Sequence, residues 1–435
     1  MFNKKNSALL LAAGALVAGG LASCGGGNDG PSLSIWCPGT DESVINAIVA
    51  SFKETYEDYA DWNIYIDQTI GEGDTQAPLV QDKTASADII CMADDNLRTA
   101  VQSNCVLPVD AADVAAIAES DGQDAVDSLS INGTLYGYPY RMDNSYLLFY
   151  DTTIYSQEDI KSLDSILKKS QEAGVDFCFD LATGWYSPSV FMANDVYQWI
   201  DQDQDGVDTI LSEYYTQAGV DVAEALWKLS ETYTNNGWNW TADQGVIEGG
   251  VKEGSDTPVG AAILWNDYNI LKANNPNIAV APLPALTVNG EAKPLHTFQS
   301  YKALIINNNV ESKGEETVEA AKALCRFWTN ATNQERYLDL DYGVSNISVM
   351  EKADTTNMPF VQALNTMIEE GRTYAQAPHV TGNFWTPMQN LMTCIKNLDW
   401  GAFSGAKEAI RNMINSTGWT TYSFDDAPER PADLI

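Results

Sequence analysis

The stretch Ile131 to Tyr155, INGTLYGYPYRMDNSYLLFYDTTIY, constrains the fold of this chain more than any other. Asn132-Gly133 sits between apolar residues and supplies the positive φ angles that a two-residue hairpin turn demands. A strand-like run from Thr134 to Arg141 follows and ends in the polar break Asp143-Asn144-Ser145. A second apolar run, Tyr146 to Tyr150, leads to Asp151. Two strands joined by so short a break, with no helix between, form one extended segment crossing from one lobe to another. At 435 residues the chain is too long for one ordinary core, so two lobes are expected.

The first residues are a processing segment. Lys4 and Lys5 form a positive n-region, and Ala8 to Leu21 is an apolar run too short to span a membrane comfortably. Leu21-Ala22-Ser23-Cys24 is similar to the bacterial lipobox, which implies cleavage before Cys24 and a lipid on its sulfur. An ordinary secretory signal with an incidental cysteine is the plainer alternative. Residues 24–31 then form the lipidated cysteine and a flexible, glycine-rich tether. Loss of Lys4 and Lys5 moves the formal charge from −36 to −38. That excess argues against nucleic acid or anionic membrane surfaces as partners. Two histidines, His296 and His379, leave little room for histidine-based catalysis. Cys37, Cys91, Cys105, Cys178, Cys325 and Cys394 show no C-x-x-C spacing, so a zinc site is poorly supported. Their even count permits disulfides outside the cell, but Cys37, Cys91 and Cys178 sit at or beside apolar strand-like runs, which favours mostly free thiols.

Along the chain, strand and helix patterns alternate. Ser32 to Trp36 reads as a strand, and Asp41 to Tyr56 as a helix with Val44, Ile45, Ile48, Val49, Phe52 and Tyr56 on one face. Trp62 to Asp67 and the run from Ala87 are further strands, with a helix near 79–84 between them. Such short alternation means an α/β sheet built by right-handed crossovers, with ligands beyond the carboxyl ends of the strands. The loops carrying Thr40-Asp41 and Asp94-Asp95-Asn96 therefore face a cleft. Ser156-x-x-Asp159 is read as the cap of a helix reaching Gly174. Trp185-Tyr186 and Trp265-Asn266-Asp267-Tyr268 follow later strands, and Phe384-Trp385 opens a late helix.

Taken together, Asn132-Gly133, Tyr138-Pro139, Asp143-Asn144 and Leu147 to Asp151 resemble the first crossover of the family 1 extracellular solute-binding proteins. These are the maltose-binding-protein-like group of ABC importers, and the resemblance covers roughly residues 32–416. It implies an α/β, two-lobe, type II periplasmic-binding-protein-like fold, each lobe a mixed sheet flanked by helices, with three interdomain crossovers. The expected lobes are 32–142 plus 297–343 and 146–294 plus 348–416, after a signal peptide at 1–23 and before a C-terminal tail at 417–435. It also implies a lipid-anchored, extracytoplasmic, monomeric receptor that captures a carbohydrate by hinge closure and passes it to ABC permease subunits. An oligosaccharide is the expected cargo, and no catalysis is expected.

Sugar faces pack on aromatic rings, while ring-edge hydroxyls need paired acceptors and donors. Trp185, Tyr186, Trp265, Tyr268 and Trp385 are the candidates for stacking. Thr40, Asp41, Asp95, Asn96, Asp143 and Gln389 are the candidates for the edges. Each Trp also has a plainer reading as core, and each carboxylate as solvated surface or helix cap. Met92, Asn96 and Gln389 depart from the maltose binder's pattern, so the resemblance does not extend to malto-oligosaccharide specificity.

Asp201-x-Asp203-x-Asp205-Gly206 matches the first half of a calcium loop, although position twelve is Ser212, and an acidic turn explains it equally well. No other cofactor is expected. Two other functions fit the same residues: a surface glycan-binding lipoprotein without a transporter, and an extracellular glycoside hydrolase. The sequence shows neither a pair of carboxylates flanking a scissile bond nor a serine elbow, metalloprotease helix or phosphate loop.

Overall fold

The computed structural model describes residues 30–202, 208–376, 380, 384–424 and 426–431. Cys24 and its tether to Asp29, and Asp203 and Asp205 of the acidic turn, lie outside them. Asp201 is exposed on the strand Gln198–Gln202, which pairs antiparallel with Asp208–Ser212.

Two five-stranded sheets organise the chain. In the first, Asn63–Asp67, Ser32–Trp36 and Ile89–Ala93 are parallel. Lys302–Ile306 runs antiparallel beside Ile89–Ala93, and Gly137–Arg141 completes the sheet. In the second, Trp238–Asn239, Asp176–Cys178 and Val259–Leu264 are parallel, Leu147–Asp151 is antiparallel, and Ile278–Ala281 completes it. The strand order is the same in both, and each antiparallel strand is the one that the chain delivers on arriving from the other sheet. Ile89–Ala93, Gly137–Arg141, Leu147–Asp151 and Val259–Leu264 are buried at every position. Helices cover both faces of such strands, which is why they read as continuous apolar runs.

Each sheet has its own hydrophobic core. Helix Glu42–Thr55 closes the first with Val44, Ile45, Ile48, Val49 and Phe52, but Tyr56, expected on the same face, is the extended C-cap residue and 40% exposed, because the helix ends one residue before it. The hairpin turn also forms: Asn132 and Gly133 take φ of 54° and 72° between two short paired strands. The helix cap differs from expectation. Asp159 does accept from the Ser156 N–H and hydroxyl, but the pair closes only a turn and the short 3-10 helix Asp159–Lys161. Ser162 is extended and restarts the chain, so helix Leu163–Ala173 is capped reciprocally by Ser162 and Ser165. Gly174 ends it at φ 67°.

The segment after Thr417, which no sequence pattern places, seals against the second core. Trp419 is buried and stacks on Phe384 at 5.3 Å, and Arg430 pairs with Glu213 and Asp195. Cys37, Cys91, Cys105, Cys178, Cys325 and Cys394 are free thiols, and burial pushes Cys37 up to about 12.

Three segments pass between the sheets side by side. Thr297–Gln299 pairs in parallel with Thr373–Ala375. Asn144 donates its N–H to the Ser300 carbonyl, and Met142 donates to the Gly343 carbonyl. The first crossing is thus tied by backbone bonds to the second and to the segment that precedes helix Ile347–Lys352.

Candidate functional site

A cleft of about 340 Å³ opens where the crossings meet. Pro38, Thr40, Glu72 and Lys302 line it from the first sheet, Arg141, Asp143 and Asn144 from the first crossing, and Leu340 and Tyr342 from the segment that precedes helix Ile347–Lys352. Gln244 and the segment Trp265 to Ile270, which runs into helix Tyr268–Asn274, line it from the second sheet. The loops lie past the carboxyl ends of Ser32–Trp36 and Val259–Leu264, where open α/β sheets present their ligand sites.

Of the sequence candidates, Thr40, Asp143, Trp265 and Tyr268 line this cleft. Trp265 is 37% exposed, unusual for so large an apolar ring, while Tyr268 is half-buried. Asp41 lies beneath them, fully buried, within 3.4 Å of the Arg141 guanidinium. Arg141 also forks onto Asp143, approaches Glu72 at 3.8 Å and sits 3.5 Å over the Tyr342 ring. Lys302 meets Glu72 at 3.4 Å, and the Tyr140 hydroxyl donates to the same carboxylate. Burial raises the Asp41 carboxyl to about 6 against the pull of Arg141. Burial acts on Glu72 too, but Lys302 and Arg141 outweigh it and hold that carboxyl below its ordinary value. The floor of the cleft is therefore a prearranged set of charges rather than loose surface groups.

The other candidates form a second group. Trp185 is half-buried, packs edge-on against Tyr146 at 4.9 Å and donates its indole N–H to Gln376 Oε1 at 3.2 Å. Gln376 also bonds to Asp95, whose carboxyl burial pushes up to about 6. Tyr186 is 1% exposed, inside the core. Half-buried Trp385 starts helix Trp385–Asn397 and packs edge-on to Phe298. Gln389 donates to the Thr183 carbonyl, and Asn96 donates to the Gly73 carbonyl. Gly184, at φ 85°, lets the Trp185 loop touch this helix, since an added Cβ would stand 2.8 Å from the Trp385 carbonyl oxygen.

Glu72, Arg141, Lys302, Gln244, Asp267 and Tyr342 were not legible as site residues. Asp267 alone had a local signal, standing between Trp265 and Tyr268 in one loop. The others reach the cleft from segments with no distinctive pattern. Among the described residues, no group of three His, Cys, Asp or Glu is placed to hold a metal ion, and no helix is long and apolar enough to cross a membrane.

Two like sheets joined by three adjacent crossings around a cleft define a two-lobe binding protein. The chain belongs to the bacterial extracellular solute-binding proteins, whose sequence profile matches residues 47–367. That family consists of binding proteins that work outside the cytoplasm. No curated sequence matches the chain. Among solved structures it is similar to a maltodextrin-binding protein from L. casei BL23, with TM-score 0.70, 17% identity and coverage of 90% of this chain and 100% of that one. A Thermus thermophilus maltotriose-binding protein gives TM-score 0.70 at 15% identity, covering 88% and 98%. The maltose-maltodextrin-binding protein of Alicyclobacillus acidocaldarius gives 0.67 at 15%, covering 89% and 100%. At such identities the likeness is one of fold.

Proposed function

We propose that this protein captures a carbohydrate, an oligosaccharide in the first instance, in the cleft between its lobes and delivers it to an ABC permease. In this reading it is a monomer held at the outer face of the cell membrane by a lipid on Cys24, and it carries no catalytic activity. The observation that supports it is the composition of the cleft. An exposed Trp265 and the Tyr268 ring face Thr40, Asp143, Asn144 and Glu72 across the crossings. Rings for sugar faces and acceptors for hydroxyl edges thus come from opposite lobes. A ligand touching both lobes favours the closed state by its added contacts, and the crossings are where the chain bends. Asp41 supports Arg141 from below. Asp95, Asn96, Trp185, Trp385 and Gln389 extend the binding surface, while Tyr186 backs Trp185. The named cargo of the similar solved structures points the same way.

The test is a thermal-shift screen of the chain from Gly25 onward against mono-, oligo- and polysaccharide fragments. A ligand at about one hundred times its dissociation constant adds roughly 2.7 kcal/mol. A selective rise without hydrolysis is expected. Silence across all sugars would point to another solute, and product formation would make the protein an enzyme.

A further inference from the structure

Three carboxylates line the cleft: Glu72, Asp143 and Asp267. Two have cations beside them, since Lys302 stands by Glu72 and Arg141 holds Asp143. Among the described residues, no lysine or arginine pairs with Asp267. It is only 5% exposed, and Gln244 Nε2 donates to its Oδ1 at 2.8 Å. Its Oδ2 is buried with no protein partner.

Leaving a buried carboxylate oxygen unsatisfied is costly. Such costs persist at functional sites, where a ligand relieves them. The neighbouring loop residues are already engaged otherwise. Asn266 and Asn269 donate to the Asp341 and Leu340 carbonyls, so neither amide turns to Asp267.

We propose that Asp267 sets the specificity of the cleft, its Oδ2 accepting a hydrogen bond from an O–H or N–H donor of the bound carbohydrate. This rests on the carbohydrate reading above. A neutral hydroxyl satisfies the oxygen, whereas a protonated amine satisfies the oxygen and also neutralises the charge. Ligands lacking a donor at that point are rejected, because they leave Oδ2 buried and bare. Burial first, and then Glu248 on helix Gln244–Gly250, raise the Asp267 carboxyl to about 6, with the Gln244 bond opposing. Across the cleft, Glu72, Asp143, Arg141 and Lys302 are the other charged groups facing it.

The experiment compares wild type, Asp267→Asn and Asp267→Ala, each as the chain from Gly25, by titration calorimetry at pH 7.5. The probes are maltotriose, cellotriose, and the glucosamine trimer beside its N-acetylated form. Asp267→Asn keeps the side-chain size and the Gln244 acceptor. It is expected to weaken the best wild-type ligand about tenfold or more, the equivalent of one hydrogen bond to a charged group. A larger loss for the glucosamine trimer than for its acetylated form assigns an ammonium donor, and equal losses assign a hydroxyl. Unchanged affinity in both variants overturns the proposal.

A second, ligand-free arm keeps the two readings apart. Removing an uncompensated carboxylate is expected to raise the melting temperature of Asp267→Asn at pH 8 but not at pH 5. If no probe binds wild type yet this rise appears, the carbohydrate reading fails while the acceptor site of Asp267 stands. If the rise is missing, Asp267 is satisfied within the protein and the proposal falls.

Discussion

Arg141 and Asp143 are locked together across a single intervening residue. The Arg141 Nε and one terminal nitrogen donate to the two Asp143 carboxylate oxygens at 2.9 and 3.1 Å. Asp143 also accepts the Gly343 N–H at 3.1 Å, so the fork staples the first crossing to the segment that precedes helix Ile347–Lys352.

Arg141→Met leaves Asp143 and Asp41 buried with their shared cation gone. Breaking a buried pair this way costs about 3–5 kcal/mol. Urea unfolding should register that loss as a lower midpoint. A loss under about 1 kcal/mol would mean that the fork is not structural.

Trp265 and Tyr186 should separate binding from folding. Trp265→Ala removes a ring that is 37% exposed in the cleft, so affinity for the cargo should fall roughly tenfold with little change in the melting temperature of the ligand-free protein. Tyr186→Ala empties a core position that is 1% exposed and should cost about 3–5 kcal/mol. Calorimetric titration and thermal melts together check both. If Trp265→Ala melts early while binding normally, the ring belongs to the core.

Stability should fall as pH rises from 5 to 8. Burial, with help from the charge of Asp95, raises the Asp94 carboxyl to about 7, and burial raises Asp341 to about 6. Both bind their protons more tightly folded than unfolded. Their contribution is complete below the ordinary value of 3.8 and is lost as pH climbs through 6 to 7. Asp94→Asn should flatten the slope of melting temperature against pH. A wild-type melting temperature level across that range would contradict these protonation states.

Asn266 and Asn269 hold the second lobe's loop to the segment between the first lobe and the third crossing. Their amides donate to the Asp341 and Leu340 carbonyls. Replacing both with Ala removes two bonds of about 1 kcal/mol each, which shifts an open–closed balance roughly thirtyfold towards open. Small-angle scattering of the ligand-free double variant should report a larger radius of gyration. An unchanged radius would show that these bonds do not govern closure.

Some of this was legible in the residue order. Apolar runs such as Ile89–Ala93 and Val259–Leu264 betray strands buried on both faces, and Asn132-Gly133 dictates its own turn. Ser156 and Asp159 were legible as a capping pair but not as the cap of a mere 3-10 turn, because the extended Ser162 three residues later decides where the helix starts. Within the cleft, Thr40, Asp143, Trp265 and Tyr268 could be named in advance, since loops after strands are read from local order.

Residue order is enough to set the alternation of strands and helices, the crossing at Asp143-Asn144 and membership of the solute-binding family. These depend on hydrophobic periodicity and short turns, which are properties of neighbouring residues. Tertiary structure alone decided which polar groups meet. Arg141 finds Asp41 at a separation of 100 residues and Lys302 stands by Glu72, neither pairing written in any local pattern. It also decided that Asp267 keeps an unsatisfied oxygen while Asp143 does not. Charge pairing and burial are set by segments brought together when the two lobes fold, and no spacing within one segment records them.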